Sequence, residues 1–177
     1  QAGVLIIDNT TLDKPYANKI ELVGQHWSGK HKQVVKGINL ISILWTEGFV
    51  IFPVITGNMT KPIIKRSKND HFTSMLQQAK ERGFQPQCIV FDSWYSSLDN
   101  LKAIGDIGCI WLTRLKMNSL LNPDGCGNVQ IKELNIDADG LIVHLKGSGF
   151  IKVFKTVSKN RGLEYWATND LKMSQTS

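Results

Sequence analysis

Two aspartates in this chain each end a short run of apolar residues. Asp8 follows Val4–Ile7, and Asp92 follows Cys88–Phe91. Continuous apolar runs bounded by turn-forming residues are typical of strands buried on both faces, so each carboxylate is predicted to lie at the carboxyl end of a strand. Ligands of open α/β sheets bind just beyond such ends. Because carboxylates suit Mg²⁺ and Mn²⁺, Asp8 and Asp92 are predicted to form a divalent-metal site.

Both aspartates also have structural alternatives. Aspartate is common at the start of turns and at the N-terminus of helices. Asp8 could therefore begin a turn, and Asp92 could cap the helix that follows it. The local pattern alone does not separate these roles from a metal site.

The elements that would position the two aspartates follow from apolar spacing. Strands are predicted at 33–45 and 49–55, where they form an antiparallel meander with the first strand, and at 109–116. One helix is predicted to begin at Asn69 or Asp70 and to end at Gly83, and a second covers 97–105. Residues 12–32 carry no clear period and are predicted to form a loop. Alternation of strands and helices implies parallel pairing, so we predict an α/β fold with a mixed sheet.

The pattern changes after residue 117. Turn signals at Asn122–Gly125 and Asp137–Gly140 separate short alternating runs, which predict small antiparallel strands. These strands cover 128–134, 141–146, 150–157 and 164–168. We therefore divide the chain into a core at 1–117, a β-rich segment at 118–171 continuous with it, and an unstructured tail at 172–177.

Composition limits the class of protein. The chain has 177 residues, 42% of them apolar, which is enough for one core. It shows no apolar segment of membrane-spanning length and no signal peptide, so a cytoplasmic location is predicted. Its three cysteines lack metal-ligand spacing, which disfavours structural zinc. It does not begin with methionine, and we expect it to be part of a longer protein.

Cationic side chains predict a polyanionic partner. The formal net charge is +6, and basic balance of this kind favours nucleic acid. Lysines cluster after the first strand, where Lys30 and Lys36 are candidate DNA contacts. Arg114 and Lys116 are two residues apart on a predicted strand, so both can reach one phosphodiester. The alternatives are a solvated loop surface and a charge pair on an edge strand. A further basic cluster precedes the first helix and contains Lys61, Lys65, Arg66 and Lys68.

Six segments occur in an order that resembles the catalytic core of DDE-type transposases from bacterial insertion sequences. They are Asp8–Pro15, His26–Lys30, Val34–Leu40, Asn69–Phe72, Phe91–Tyr95 and Trp111–Lys116. The resemblance extends from about Val4 to about Leu171. It implies a ribonuclease H-like fold, with flanking helices and a β-rich insertion after the fifth core strand.

The same resemblance implies an activity and its requirements. DDE-type transposases cut DNA strands and transfer them, using two Mg²⁺ or Mn²⁺ ions held by two aspartates and a glutamate. Asp8 matches the first acid and Asp92 matches the second. The stretch around Arg114 and Lys116 matches residues that contact the DNA backbone. The implied partners are double-stranded DNA, as transposon ends and target, and a second copy of the chain on paired ends.

Two departures from the family pattern leave alternatives open. Relatives often carry two adjacent aspartates where this chain has Asp8 and Asn9, so the first ligand could correspond to Asn9. The third acid belongs to a Tyr-x2-Arg-x3-Glu-x6-Lys motif, and nothing after Leu171 fits it. Glu133 and Glu164 lack the surrounding motif and are not assigned.

Three hypotheses follow from these departures. The chain is a fragment of a transposase truncated before the third acid, a catalytically dead remnant that retains DNA binding, or a metal-dependent ribonuclease H-like nuclease. The third is disfavoured, because all of its acids would have to lie within this chain.

Overall fold

The computed structural model describes residues 3–48, 51–58, 67–158 and 162–175. The chain forms two compact units, which comprise residues 1–85 and 86–177. Within the described ranges, no helix combines the length and the apolar character that crossing a bilayer requires. The predicted boundary at residues 117 and 118 stays a prediction.

The first unit is built around one long strand. Its elements are β1 (Gly3–Asp13), β2 (Gly24–Ser28), β3 (Gln33–Thr46), β4 (Ile51–Asn58) and helix α1 (Lys68–Glu81). β3 pairs antiparallel with β1, with β2 and with β4. The predicted meander of the first strand with β3 and β4 is therefore confirmed.

The prediction of a loop over residues 12–32 is wrong in part. β1 continues to Asp13, opposite Gly37, and residues 24–28 form β2. The outward positions of β2 are exposed: Trp27 lies opposite Val34, and more than half of its surface is accessible. A strand with so little buried surface gives no apolar signal, which explains why the sequence did not reveal it.

The N-cap of helix α1 lies two or three residues before the predicted Asn69 or Asp70. It is Ser67, whose Oγ accepts a hydrogen bond from Asp70 N at 3.1 Å, while Asp70 Oδ2 accepts one from Ser67 N at 2.7 Å. This reciprocal pair is a capping box, so Asp70 closes the first turn from within the helix. The helix ends just before Gly83, which has a φ of +85° as predicted for a terminating glycine. Its apolar stripe is buried at Phe72, Met75 and Ala79.

The second unit combines parallel and antiparallel pairing. Its elements are β5 (Pro86–Phe91), α2 (Leu98–Asp106), β6 (Ile110–Leu115), β7 (Leu120–Leu121), β8 (Val129–Gln130), β9 (Leu141–Leu145), β10 (Gly149–Ser158) and β11 (Gly162–Thr168). Short 3₁₀ helices cover Ser93–Tyr95 and Ile131–Glu133. β5 and β6 pair in parallel, whereas β6–β11, β11–β10 and β10–β9 are antiparallel. The predicted α/β class with a mixed sheet is confirmed.

The part of the chain after residue 117 departs from prediction at one strand. The strand predicted at 128–134 is only β8 followed by a 3₁₀ turn, because Ile131 turns inward and is fully buried. The predicted tail has no helix or strand in its described part, residues 172–175, which makes two hydrogen bonds to β10. Lys152 Nζ donates to Met173 O at 2.9 Å, and Gln175 Nε2 donates to Lys155 O at 3.2 Å. Residues 176–177 lie outside the described ranges.

Candidate active site

Asp8 lies within β1 rather than at its end. It is opposite Ser42 of β3, its side chain is exposed, and its Oδ1 accepts a hydrogen bond from Asn9 N at 2.8 Å. Burial stops at Ile7, although the strand continues through Asp13. The prediction that the strand ends at Asp8 is therefore wrong, and so is the alternative that Asp8 begins a turn. β-branched residues after Asn9 explain the continuation, since they favour strand pairing.

Asp92 lies directly after β5, as the sequence predicted. Its Oδ1 accepts a hydrogen bond from Ser93 N at 2.6 Å, and it caps the 3₁₀ helix Ser93–Tyr95. Helix α2 has a separate N-cap at Ser97. The capping alternative is thus correct for the short 3₁₀ helix, but it does not account for all the contacts of this carboxylate.

A single guanidinium joins Asp92 to a second acid. Arg114 Nε and Nη2 donate to Asp92 Oδ1 at 3.2 and 2.8 Å, and Nη1 donates to Glu164 Oε1 at 2.8 Å. The three side chains are 14–26% exposed, with Glu164 the most buried. The guanidinium also lies 6.0 Å from the ring centre of Trp166. The arrangement is a carboxylate–guanidinium–carboxylate bridge, which we call the Arg114 bridge.

The electrostatics of the Arg114 bridge favour its charged form. Burial lowers the pKa of Arg114, but hydrogen bonding and attraction from Asp92, and then from Glu164, outweigh burial and raise that pKa overall. A guanidinium does not lose its proton in proteins. The bridge therefore holds a permanent positive charge beside two carboxylates.

Strand register explains how three distant segments meet. Phe91 at the end of β5 lies opposite Thr113, next to Arg114, and Arg114 itself lies opposite Trp166 of β11. Side chains two residues apart on a strand point the same way, so Glu164 shares a face with Trp166. Sequence reasoning left Glu164 unassigned, because it lacks the surrounding family motif, and the pairing of β11 with β6 that brings it to Arg114 is not visible in either segment alone.

A cavity of about 570 Å³ adjoins the Arg114 bridge. Its polar lining comprises Ser93, Arg114, Lys116, Asn118, Lys132 and Glu164. Lys116 was predicted to lie on the strand, but it is one residue beyond the end of β6. β6 has neighbours on both sides, β5 and β11, and the alternative of an edge-strand charge pair is therefore wrong. Lys132, which sequence reasoning did not single out, adds a third cation to this cavity.

The remaining predicted cations belong to the first unit. Lys30 is exposed in the turn after β2, and Lys36 on β3 donates from Nζ to Asn18 Oδ1 at 3.0 Å. Lys61, Lys65 and Arg66 lie outside the described residues. The structure thus brings Asp92, Arg114 and Lys116 together, whereas the convergence of Asp8 with Asp92 stays a prediction.

The carboxylate oxygens of Asp92 and Glu164 suit a divalent cation, but the described carboxylates there are too few to hold two such ions. In the part of the chain that the structure describes, no group of three or more His, Cys, Asp or Glu side chains is arranged to hold a metal ion. Asp92 Oδ2 and Glu164 Oε2 accept no hydrogen bond from a described residue. Each is a hard oxygen donor that suits Mg²⁺.

Comparison of the chain with known proteins identifies its family. The model of the DDE superfamily endonuclease family matches residues 1–130. This confirms the predicted DDE type, whereas the bacterial insertion-sequence group stays a prediction. Enzymes of this superfamily generally use divalent metal ions. No curated protein matches the chain.

The chain also matches solved structures, among them a transposase and an endonuclease. The piggyBac transposase, in a synaptic complex with hairpin DNA, aligns over 98% of this chain with a TM-score of 0.59 and 10% identity. This chain spans 35% of the length of that transposase. Endonuclease V from Bacillus subtilis aligns over 95% of this chain and 65% of its own, with a TM-score of 0.44 and 8% identity. The transposase match agrees with the predicted fold. The family model matches residues 1–130, which contain both Asp8 and Asp92, and it shows that the chain belongs to the DDE superfamily of endonucleases.

Proposed function

We propose that this chain is part of a DNA transposase whose intact form cuts DNA strands and transfers them. The observation that carries the proposal is the family match over residues 1–130, which contains both predicted acids and the Arg114 stretch. The order of the six family-like segments supports it further. Because the chain spans about a third of the piggyBac transposase, the complete activity belongs to the intact protein.

Asp8 and Asp92 are the proposed metal ligands. In the intact parent, with the third acid present, two bound Mg²⁺ or Mn²⁺ ions would activate water or a 3′-hydroxyl and stabilise the leaving oxygen. Asp92 is suited to this role because the hydrogen bond from Ser93 N orients its carboxylate at the end of β5. Asp8 is suited to it because its carboxylate is exposed and, among the described residues, accepts a hydrogen bond from Asn9 N alone.

Double-stranded DNA is the proposed partner. Arg114, Lys116 and Lys132 line one cavity, and their positive charges would attract the non-bridging oxygens of a phosphodiester. Lys30 and Lys36 are further proposed backbone contacts from the first unit. As the family resemblance implies, the DNA would include transposon ends and target, and the active assembly would be a homodimer on paired ends.

Strand cleavage by the intact parent protein tests the proposal. With Mg²⁺ and transposon-end DNA, the parent should cleave and join strands, and Asp92→Asn should lower the rate at least about a thousandfold while retaining DNA binding. Lys102→Gln, on the exposed face of α2, is the matched control and should cleave normally. Normal cleavage by Asp92→Asn would contradict the assigned role.

A second candidate function is a remnant that binds DNA but does not cleave it. The observation that favours it is the lack of a three-acid group within the described residues. The 177-residue chain alone should therefore leave both intact and pre-nicked ends uncut in Mg²⁺ and Mn²⁺. An in-frame extension that contains the missing motif and restores cleavage would support the fragment, whereas a stop codon after Ser177 in the gene would support the remnant.

A further inference from the structure

We propose that Arg114 is an internal counterion that occupies the cation position between Asp92 and Glu164, and that it competes with a divalent ion for Asp92 and must leave Oδ1 before the ion can bind that oxygen. The metal role of Asp92 proposed above underlies this inference. The supporting observation is geometric: two nitrogens of the guanidinium contact one oxygen of Asp92, and its third nitrogen contacts Glu164.

Charge makes the guanidinium and a metal ion competitors. Two carboxylates that are 14–26% exposed carry two negative charges, and Arg114 neutralises one of them. Charges in such partly buried positions are stable only when paired. Because Arg114 cannot deprotonate, a metal ion that takes Asp92 Oδ1 has to displace the guanidinium rather than remove its proton.

The cavity gives the displaced guanidinium a new partner. Arg114 already lines it beside Lys116 and Lys132, and its guanidinium carbon lies 6.0 Å from the ring centre of Trp166. A phosphate in this cavity would accept hydrogen bonds from Nε and Nη2, the two nitrogens that now donate to Asp92. Glu164 would retain Nη1 and act as a positioning residue. Metal binding at Asp92 and phosphate binding at Arg114 should therefore strengthen each other, since coupling between two sites is reciprocal.

Mn²⁺ binding to the 177-residue chain, followed by electron paramagnetic resonance without DNA, tests the inference. Arg114→Gln should bind Mn²⁺ at least about tenfold more tightly than the unmodified chain, because the competing charge is removed. Lys116→Gln removes an equal charge from the same cavity and should change the affinity less than about threefold. The gain in Arg114→Gln should disappear when Asp92→Asn is added.

The outcomes separate the counterion from the metal site. If Asp92→Asn weakens Mn²⁺ binding but Arg114→Gln does not tighten it, the counterion inference is overturned and the metal role of Asp92 stands. If Asp92→Asn changes neither the unmodified chain nor Arg114→Gln, the metal role fails and the inference fails with it.

A measurement on the unmodified chain covers the case in which Arg114→Gln does not fold. The Nε–H signal of Arg114 in a nitrogen-15 NMR spectrum should shift as Mg²⁺ is added, since its acceptor changes. Asp92→Asn should abolish that shift. A signal that stays in place at saturating Mg²⁺ would overturn the inference.

Discussion

The two apolar runs that end in aspartate look alike in sequence and differ in structure. Asp8 is an exposed residue in the middle of β1, opposite Ser42, and its Oδ1 accepts a hydrogen bond from Asn9 N. Asp92 follows β5, caps a 3₁₀ helix and is bound by Arg114. The same local pattern is thus followed by a solvent-exposed carboxylate at Asp8 and by a carboxylate paired with a guanidinium at Asp92.

The difference comes from what lies beyond each run. After Asp8, β-branched residues extend the strand, and β3 pairs with it beyond the carboxylate as far as Asp13. Arg114 lies 22 residues after Asp92, and Glu164 lies 50 residues after Arg114. The environment of an acid is therefore set by strand register between distant segments rather than by the residues around it.

The largest expected effect separates Asp8 from its neighbour Asn9. In the intact parent, Asp8→Asn should lower strand cleavage at least about a thousandfold, because a neutral amide binds Mg²⁺ poorly. Asn9→Ala should lower it less than about tenfold, since Asn9 points to the opposite face of β1. Single-turnover cleavage of labelled transposon-end DNA measures both. The reverse ranking would assign the first ligand to the Asn9 position.

A smaller effect should distinguish the two aspartates by stability. Asp92→Ala should lower the free energy of unfolding by about 2 kcal/mol, because it leaves part of the Arg114 guanidinium buried without its partner. Asp8→Ala should change it by less than about 0.5 kcal/mol, as is usual for an exposed residue without such contacts. Urea unfolding followed by circular dichroism measures both. Equal losses would show that the Arg114 bridge contributes nothing particular to the fold.

The smallest effect concerns DNA contacts in the two units. Lys116→Gln and Lys30→Gln should each reduce the slope of log affinity against log salt by about 0.9, the value for one phosphate contact. Fluorescence anisotropy with duplex DNA at several salt concentrations gives the slope, with Lys102→Gln as the control. If only Lys116→Gln reduces the slope, the DNA path does not include the turn that carries Lys30.

Elements with strong apolar periodicity were predictable from sequence. The stripe of Phe72, Met75 and Ala79 gave α1, and Leu101 with Ile104 gave α2, because helical spacing shows directly which residues are buried. β2 was missed because its outward side chains are exposed. The start of α1 was misplaced because Ser67, Asn69 and Asp70 are all good capping residues.

The candidate site was predictable only in part. The position of Asp92 at a strand end followed from local pattern, whereas its contact with Arg114 was not predicted, since Arg114 was expected to contact the DNA backbone. Glu164 and Lys132 did not, since their positions depend on the pairing of β11 with β6 and on the turn at Ile131–Glu133. Local sequence does not encode which distant strand a segment will pair with.

The most direct test of the central claim is anomalous diffraction from crystals of the intact parent protein soaked with Mn²⁺ in the presence of transposon-end DNA. We expect a manganese ion with carboxylate oxygens of both Asp8 and Asp92 at about 2.1–2.3 Å. We also expect Arg114 to turn from Asp92 toward a phosphate. Manganese bound elsewhere, with neither aspartate within ligand distance, would contradict the claim that these two acids form the catalytic metal site.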